Sequence, residues 1–109
     1  KWKTARDSAM ELLVRFNMEE RAGHKPGEMS GGECQRVAVA RAIVGEPDLI
    51  LADEPTGSLD SRNSSILMQM LLELCREKGS TALIVTHDMT IAGMTDRVIS
   101  MLDGAIVNI

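Results

Sequence analysis

Two short apolar runs, Leu49-Ile-Leu-Ala52 and Thr81-Ala-Leu-Ile-Val-Thr86, separated by enough chain for one helix, constrain the fold more than any other feature of the sequence. Continuous apolar runs of this length read as strands buried on both faces, as in a parallel sheet. Between them Ile66, Leu67, Met70, Leu71 and Leu74 form one face of a helix that Gly79 terminates. Strand, helix, strand in that order is a right-handed βαβ unit, which sets the class as α/β. The runs stop at Asp53-Glu54 and at His87-Asp88, so polar groups gather at the carboxyl ends of the strands, where open parallel sheets bind ligands.

The remaining elements are punctuated by turn chemistry. Ala5, Ala9, Leu12, Leu13 and Phe16 recur at helical spacing and predict a helix over roughly residues 4–19. Arg21 to Gly27 reads as loop. A second helix opens at Ser30, where Ser30 and Glu33 match the capping box, and runs toward Gly45 with Pro47 beyond. Pro55 to Asp60 is loop, and a short helical stretch falls near Thr90 to Met94. Segments Arg97 to Leu102 and Ala105 to Ile109 flank Asp103-Gly104, a strong hairpin signal.

Composition narrows the function. A chain of 109 residues is one small domain, too short for two that fold independently. Trp2 and Phe16 are the only aromatic residues, and the formal net charge is −4, which disfavours a nucleic-acid-coating role by stacking or by overall field. Cys34 and Cys75 show no metal-ligand spacing and read as free thiols. No apolar run approaches the roughly 18 residues that a membrane span needs.

Three groups could carry chemistry. Asp53, directly after a strand, suits Mg²⁺, because a hard cation prefers carboxylate oxygens, and the adjacent Glu54 can face elsewhere and polarise a water. The same pair is also what a solvated strand end before the Pro55 turn looks like. His87 equally suits a hydrogen-bonded loop position. Ser30-Gly31-Gly32-Glu33 leaves backbone N–H groups unobstructed at a helix start, where the dipole favours anions, although an ordinary capped helix has the same appearance.

Taken in order, Met29-Ser-Gly-Gly-Glu33, Gln35-Arg36, Arg41-Ala42, Pro47-Asp48, Leu49 to Pro55, Gly57-Ser-Leu-Asp60 and Val85-Thr-His-Asp88 resemble the second half of an ABC-type ATPase domain. The resemblance runs from about Gly27 to the end. It makes the first segment the signature motif, the run ending in Asp53 the Walker B strand, the next stretch the D-loop, and His87 the switch histidine. Met29 and Glu33 replace the commonest Leu and Gln; Met conserves the volume and Glu retains the capping geometry. The wording Asp53-Glu-Pro-Thr-Gly-Ser-Leu-Asp-Ser61 looks most like the bacterial branch that includes lipoprotein-release and macrolide-efflux ATPases.

The resemblance implies an ATP- and Mg²⁺-dependent ATPase subunit of a membrane exporter, in which two copies sandwich ATP. Ser30, Gly31, Gly32 and Glu33 would face nucleotide across the dimer, Asp53 would help hold Mg²⁺, and Glu54 would orient the attacking water. His87 would contact the γ-phosphate, and Ser58 and Asp60 would link the two sites. The implied partners are a second ATPase subunit and a transmembrane permease, with no nucleic acid; the implied location is the cytoplasmic face of the membrane. An ATPase of DNA repair or chromosome maintenance shares part of the motif set and is the alternative, and a non-catalytic assembly module is a third possibility.

No G-x-x-x-x-G-K-[ST] phosphate loop occurs, and Gln35 and Gln69, the only glutamines, do not fit the family's glutamine loop. The chain, which begins at Lys1, is therefore expected to be a piece of the P-loop NTPase (RecA-like) fold lacking the phosphate-loop strand. Residues 1–28 would close the helical subdomain, and 29–109 would form the C-terminal half of the core. The family's sheet order then predicts a gap before the strand near Arg97, an unpaired edge open to self-association, strand swapping or a rearranged hairpin, and no ATP hydrolysis by this piece alone.

Overall fold

The computed structural model describes residues 4–18, 20 and 22–109. Strands β1 (Leu49–Asp53) and β2 (Thr81–Val85) pair in parallel, with Leu49 opposite Thr81 and Asp53 opposite Val85. Helices α1 (Ala5–Arg15) and α2 (Gly31–Ile43) precede them, with a single 3-10 turn at Pro26–Glu28 between. Helix α3 (Ser61–Lys78) makes the crossover from β1 to β2, and α4 (Met89–Ala92) leads to the hairpin of β3 (Ser100–Leu102) and β4 (Ala105–Asn108).

Each long helix has a local reason to start and stop. Ser30 and Glu33 form the full capping box of α2, Glu33 N–H to Ser30 Oγ at 3.1 Å and Ser30 N–H to Glu33 Oε1 at 3.0 Å. Asp60 caps α3 through the Asn63 N–H at 2.8 Å, and Gly79 ends it at φ 71°, a left-handed conformation that glycine adopts without penalty. Helix α1 is shorter than the periodicity predicts. Asn17 takes φ 57°, which stops the helix and turns both Phe16 and Met18 into the core; Glu19, the last residue of the expected helix, lies outside the described residues.

One apolar cluster joins α1, α2, α3 and one face of the β1–β2 sheet. Its buried members include Leu12, Phe16, Met18, Ile43, Ile50, Leu67, Met68, Leu71, Leu74 and Ile91, with Ala82 and Ile84 packed against it. The face of α3 differs from the expected one. Leu67, Met68, Leu71, Leu74 and Cys75 are buried, whereas Ile66 and Met70 flank the stripe half-buried, because the residues at i, i+4 and i+7 from Ser64 centre on the sheet.

The strands are not buried on both faces, contrary to the sequence reading. Ile50 is 5% exposed, but Leu49, Leu51, Leu83 and Val85 on the other face are 53%, 70%, 54% and 57% exposed. An apolar run marks a strand built for two covered faces, and the described residues supply cover for one. Among the described residues β1 and β2 form one two-stranded sheet and β3 and β4 another, so β2 has no strand partner besides β1. The hairpin turn itself follows the sequence, Asp103 and Gly104 taking φ 50° and 80° as a type I′ turn requires.

The last turn of α3 fastens neighbouring elements by ion pairs. Glu77 receives Arg15 of α1 at 2.8 and 3.2 Å, Lys78 reaches Glu46 at 3.2 Å, and Arg76 lies 3.7 Å from Asp96. The hydrogen bonds from Arg15 hold the Glu77 carboxyl below the usual range and push the guanidinium higher still. A carboxyl with a depressed folded value contributes stability that is complete above its unfolded value and lost as the pH falls through the folded one. The melting-temperature gap between wild type and Arg15→Ala, followed by circular dichroism, is therefore expected to narrow on acidification through the carboxylate range. Denaturant unfolding checks the helix face: Met68→Ala costs about 3 kcal/mol, whereas Met70→Ala costs about 1 kcal/mol.

Candidate functional site

Parallel pairing with equal register ends both strands at one edge, and the residues that follow them meet there. The Glu54 N–H donates to Val85 O at 2.7 Å, extending the ladder one step beyond β1. Glu54 itself sits at φ 48°, a left-handed conformation that costs a non-glycine residue about 1 kcal/mol or more and is concentrated at functional sites. Its carboxylate accepts three hydrogen bonds: from the His87 backbone N–H at 3.0 Å, from His87 Nδ1 at 2.7 Å, and from Thr86 Oγ1 at 3.4 Å. The Asp88 N–H in turn donates to Thr86 Oγ1 at 3.0 Å.

The His87 ring bond is the main reason that the Glu54 carboxyl lies below the usual carboxylate range; partial burial opposes it, and the His87 N–H and Thr86 hydroxyl assist it. An ionised carboxylate only accepts, so the network assigns the hydrogen to Nδ1 and leaves Nε2 on a ring whose side chain is 89% exposed. An ionised carboxylate held beside an exposed imidazole can orient a water and accept its proton.

Asp53 occupies the end of β1 on the open face, the side of Leu49 and Leu51, and is exposed. The two neighbouring carboxylates part here, but by the left-handed turn at Glu54 just past the end of β1 rather than by the expected alternation along the strand. Among the described residues no group of three His, Cys, Asp or Glu could enclose a metal ion. Asp53 would be a single protein ligand, which suits a cation completed by water and phosphate oxygens.

The other expected site residues lie at the start of α2 and along the loop after Glu54. The cap consumes the Glu33 amide, and the Cys34 N–H donates to Ser30 O at 2.9 Å. Gly31 faces open space: a Cβ there would meet nothing within 4 Å, whereas at Gly32 it would lie 3.5 Å from Leu59 Cδ2. Ser58 is exposed, and Asp60 is engaged as the cap of α3. Glu54 and His87 pair directly, while the Ser30 to Glu33 group joins them at second hand, through Leu59 against Gly32 and through Gln35 Nε2, which donates to Pro55 O at 2.8 Å. The sequence reading assigned no role to Gln35 or Thr86, and no local spacing announces a bond between residues twenty positions apart. A separate groove of about 670 Å³, flanked by Arg15, Glu46 and Lys78, opens near the amino ends of the strands, away from this edge.

A parallel α/β sheet with carboxylate and imidazole at its carboxyl edge, beside a glycine-fronted capped helix, has the arrangement of part of a P-loop NTPase-type fold. The ABC transporter family model matches residues 2–57, and the chain belongs to that family. It is 54% identical over 105 residues to the lipoprotein-releasing system ATP-binding protein LolD of Bacteroides fragilis, covering 96% of this chain and 49% of that protein. It is 52% identical to the macrolide export ATP-binding/permease protein MacB of Chlorobium luteolum, covering 94% of this chain and 15% of that one. A bacterial ABC transporter cassette solved as a dimer superposes with a TM-score of 0.81 at 46% identity, covering 94% of this chain and 45% of that one. The chain thus spans about half the length of the LolD relatives that it matches.

Because the His87 ring is the principal cause of the Glu54 shift, His87→Ala is expected to return the Glu54 carboxyl toward its ordinary value. Carboxyl-carbon NMR titration reads this directly, and an unmoved Glu54 midpoint would show that the ring bond does not form in solution.

Proposed function

We propose that this chain is the signature-bearing half of an ATP-hydrolysing subunit of an ABC-type exporter, working as a pair of subunits that sandwich ATP. The observation that carries the reading is the Glu54 carboxylate, ionised and gripped by His87 and Thr86 at the shared carboxyl edge of β1 and β2. The names of the relatives, lipoprotein-releasing and macrolide-export proteins, support transport over DNA repair or chromosome maintenance. The solved dimer of a related cassette supports the pairing of subunits.

The residues present fit the nucleotide and the ion. Gly31 offers backbone approach without a Cβ, at a helix start whose dipole favours phosphate, and Asp53 offers an exposed carboxylate to Mg²⁺. Bound Mg-ATP would supply the phosphoryl group and neutralise charge that develops on it. In this reading Ser30, Gly31, Gly32 and Glu33 form the surface that meets the partner subunit's nucleotide, and the capping box keeps that surface in one conformation. Glu54 orients the water and takes its proton, and His87 presents Nε2 toward the γ-phosphate. Ser58 and Asp60 hold the loop between the two sites, with Asp60 anchored to α3. Residues 1–28 belong to the end of the helical subdomain, and residues 29–109 to the catalytic core.

No helix among the described residues is long and apolar enough to cross a membrane, and in the proposed assembly a permease subunit provides the membrane contact, at its cytoplasmic face. The phosphate loop is supplied by the half of the domain that this chain does not include.

The test is steady-state hydrolysis by a chain carrying both halves. Glu54→Gln is expected to lower turnover by about a hundredfold or more while ATP still binds. The 109-residue chain alone is expected to show none. Turnover by this chain alone that disappears in Glu54→Gln would overturn the requirement for the other half.

A further inference from the structure

The backbone after Glu54 is held in an unusual way. Residue 55 is proline, which has no N–H, so its carbonyl is the only backbone group through which it can be fastened by a hydrogen bond. That carbonyl accepts from Gln35 Nε2 of α2 at 2.8 Å, in a half-buried position. On the other side of Glu54, the Glu54 N–H is fixed to Val85 O at 2.7 Å. The left-handed Glu54, at φ 48°, therefore lies between two restraints, one from β2 and one from the side chain of Gln35.

Gln35 also lies one helical turn beyond Gly31, on the same side of α2, since residues four apart share a helix face. A group meeting the amides at Gly31 thus contacts the helix face whose next turn holds the Glu54 loop. Leu59 of that loop lies beside Gly32, its Cδ2 3.5 Å from where a Cβ would stand, and Ser64 Oγ steadies the loop from α3 through Thr56 O and Leu59 O, each at 3.4 Å.

We infer that Gln35 is a positioning residue: its carboxamide sets the Glu54 backbone for catalysis and couples it to the signature end of α2. The inference rests on the sandwich reading above. In that arrangement Gly31 serves the partner subunit's nucleotide while Glu54 acts on the chain's own. Gln35 then connects the two sites within a single chain, and engagement of the signature surface draws the Glu54 loop into register.

The experiment uses the full-length dimer with its permease and measures ATP turnover in Gln35→Glu, Gln35→Leu and Gln35→Lys. Gln35→Glu keeps the shape and loses the donor, Gln35→Leu loses it without adding charge, and Gln35→Lys retains a donor of sufficient reach. Donor loss is expected to lower kcat about tenfold with KM for ATP within about twofold, as a small misplacement of a catalytic group does. Gln35→Lys should recover most of kcat. Unchanged kcat in both donor-less variants, or a loss in Gln35→Lys as large as in Gln35→Leu at equal melting temperature, would overturn the inference. Glu54→Gln run in parallel separates the two readings: if it retains turnover, the assigned role of Glu54 fails whatever Gln35 does.

Discussion

The parallel pairing of β1 with β2, with α3 as the crossover, is the constraint on which the rest of the molecule depends. Leu67, Met68, Leu71 and Leu74 of α3 bury against Ile50, Ala82 and Ile84. A slip of one residue in either strand would carry its buried side chains to the open face, so the apolar contact fixes the register. With that register fixed, Asp53 lies opposite Val85, and the next residues, Glu54 on one strand and Thr86-His87 on the other, have to meet. The hydrogen bonds of the site follow from a core that contains none of its residues.

Features set by neighbours in sequence were legible before the structure. The Ser30-Glu33 capping box, the glycine stop of α3 and the Asp103-Gly104 turn are each decided within four residues, and each forms as expected. Features set by what lies above a surface were not. Apolar runs at β1 and β2 suggest cover on both faces, yet Leu51 and Leu83 stand on a face that nothing among the described residues covers. The exchange of Met70 for Met68 in the core has the same origin: periodicity defines a stripe, but the sheet decides where its centre falls. Helix α1 stops early because Asn17 takes a left-handed conformation, a choice that buries Phe16 and Met18 together. At the site, the gathering of Asp53, Glu54 and His87 could be read from strand ends, whereas the Gln35 bond to Pro55 depends on tertiary placement alone.

An acidic chain is not an obvious place for the polyphosphate of the proposed function, and local geometry resolves the conflict. The net charge of −4 is spread over the whole surface, where solvent and salt screen it. The potential at a helix start is short-ranged and directional, so Gly31 and Gly32 can offer an anion their amides while Glu33 is turned back onto the Ser30 N–H. Using the Glu33 carboxylate in the cap satisfies an otherwise unpaired donor and holds a negative charge in a defined place.

The two ends of the sheet then do different work. At the amino edge, the last turn of α3 sends Arg76, Glu77 and Lys78 to three separate segments, and Arg15 is tied to the core across 62 residues of sequence. These pairs are exposed and screened, so they guide the placement of α1 more than they stabilise it, and the buried Leu12 and Phe16 supply most of the cohesion. At the carboxyl edge the hydrogen bonds around Glu54 are exposed or half-buried. Glu54 keeps its left-handed backbone between Val85 O, which accepts its N–H, and Gln35, which holds the carbonyl of Pro55, while His87 binds its carboxylate. A residue held by polar contacts from three directions, over a core fastened at the opposite edge, can be repositioned without unfolding what supports it.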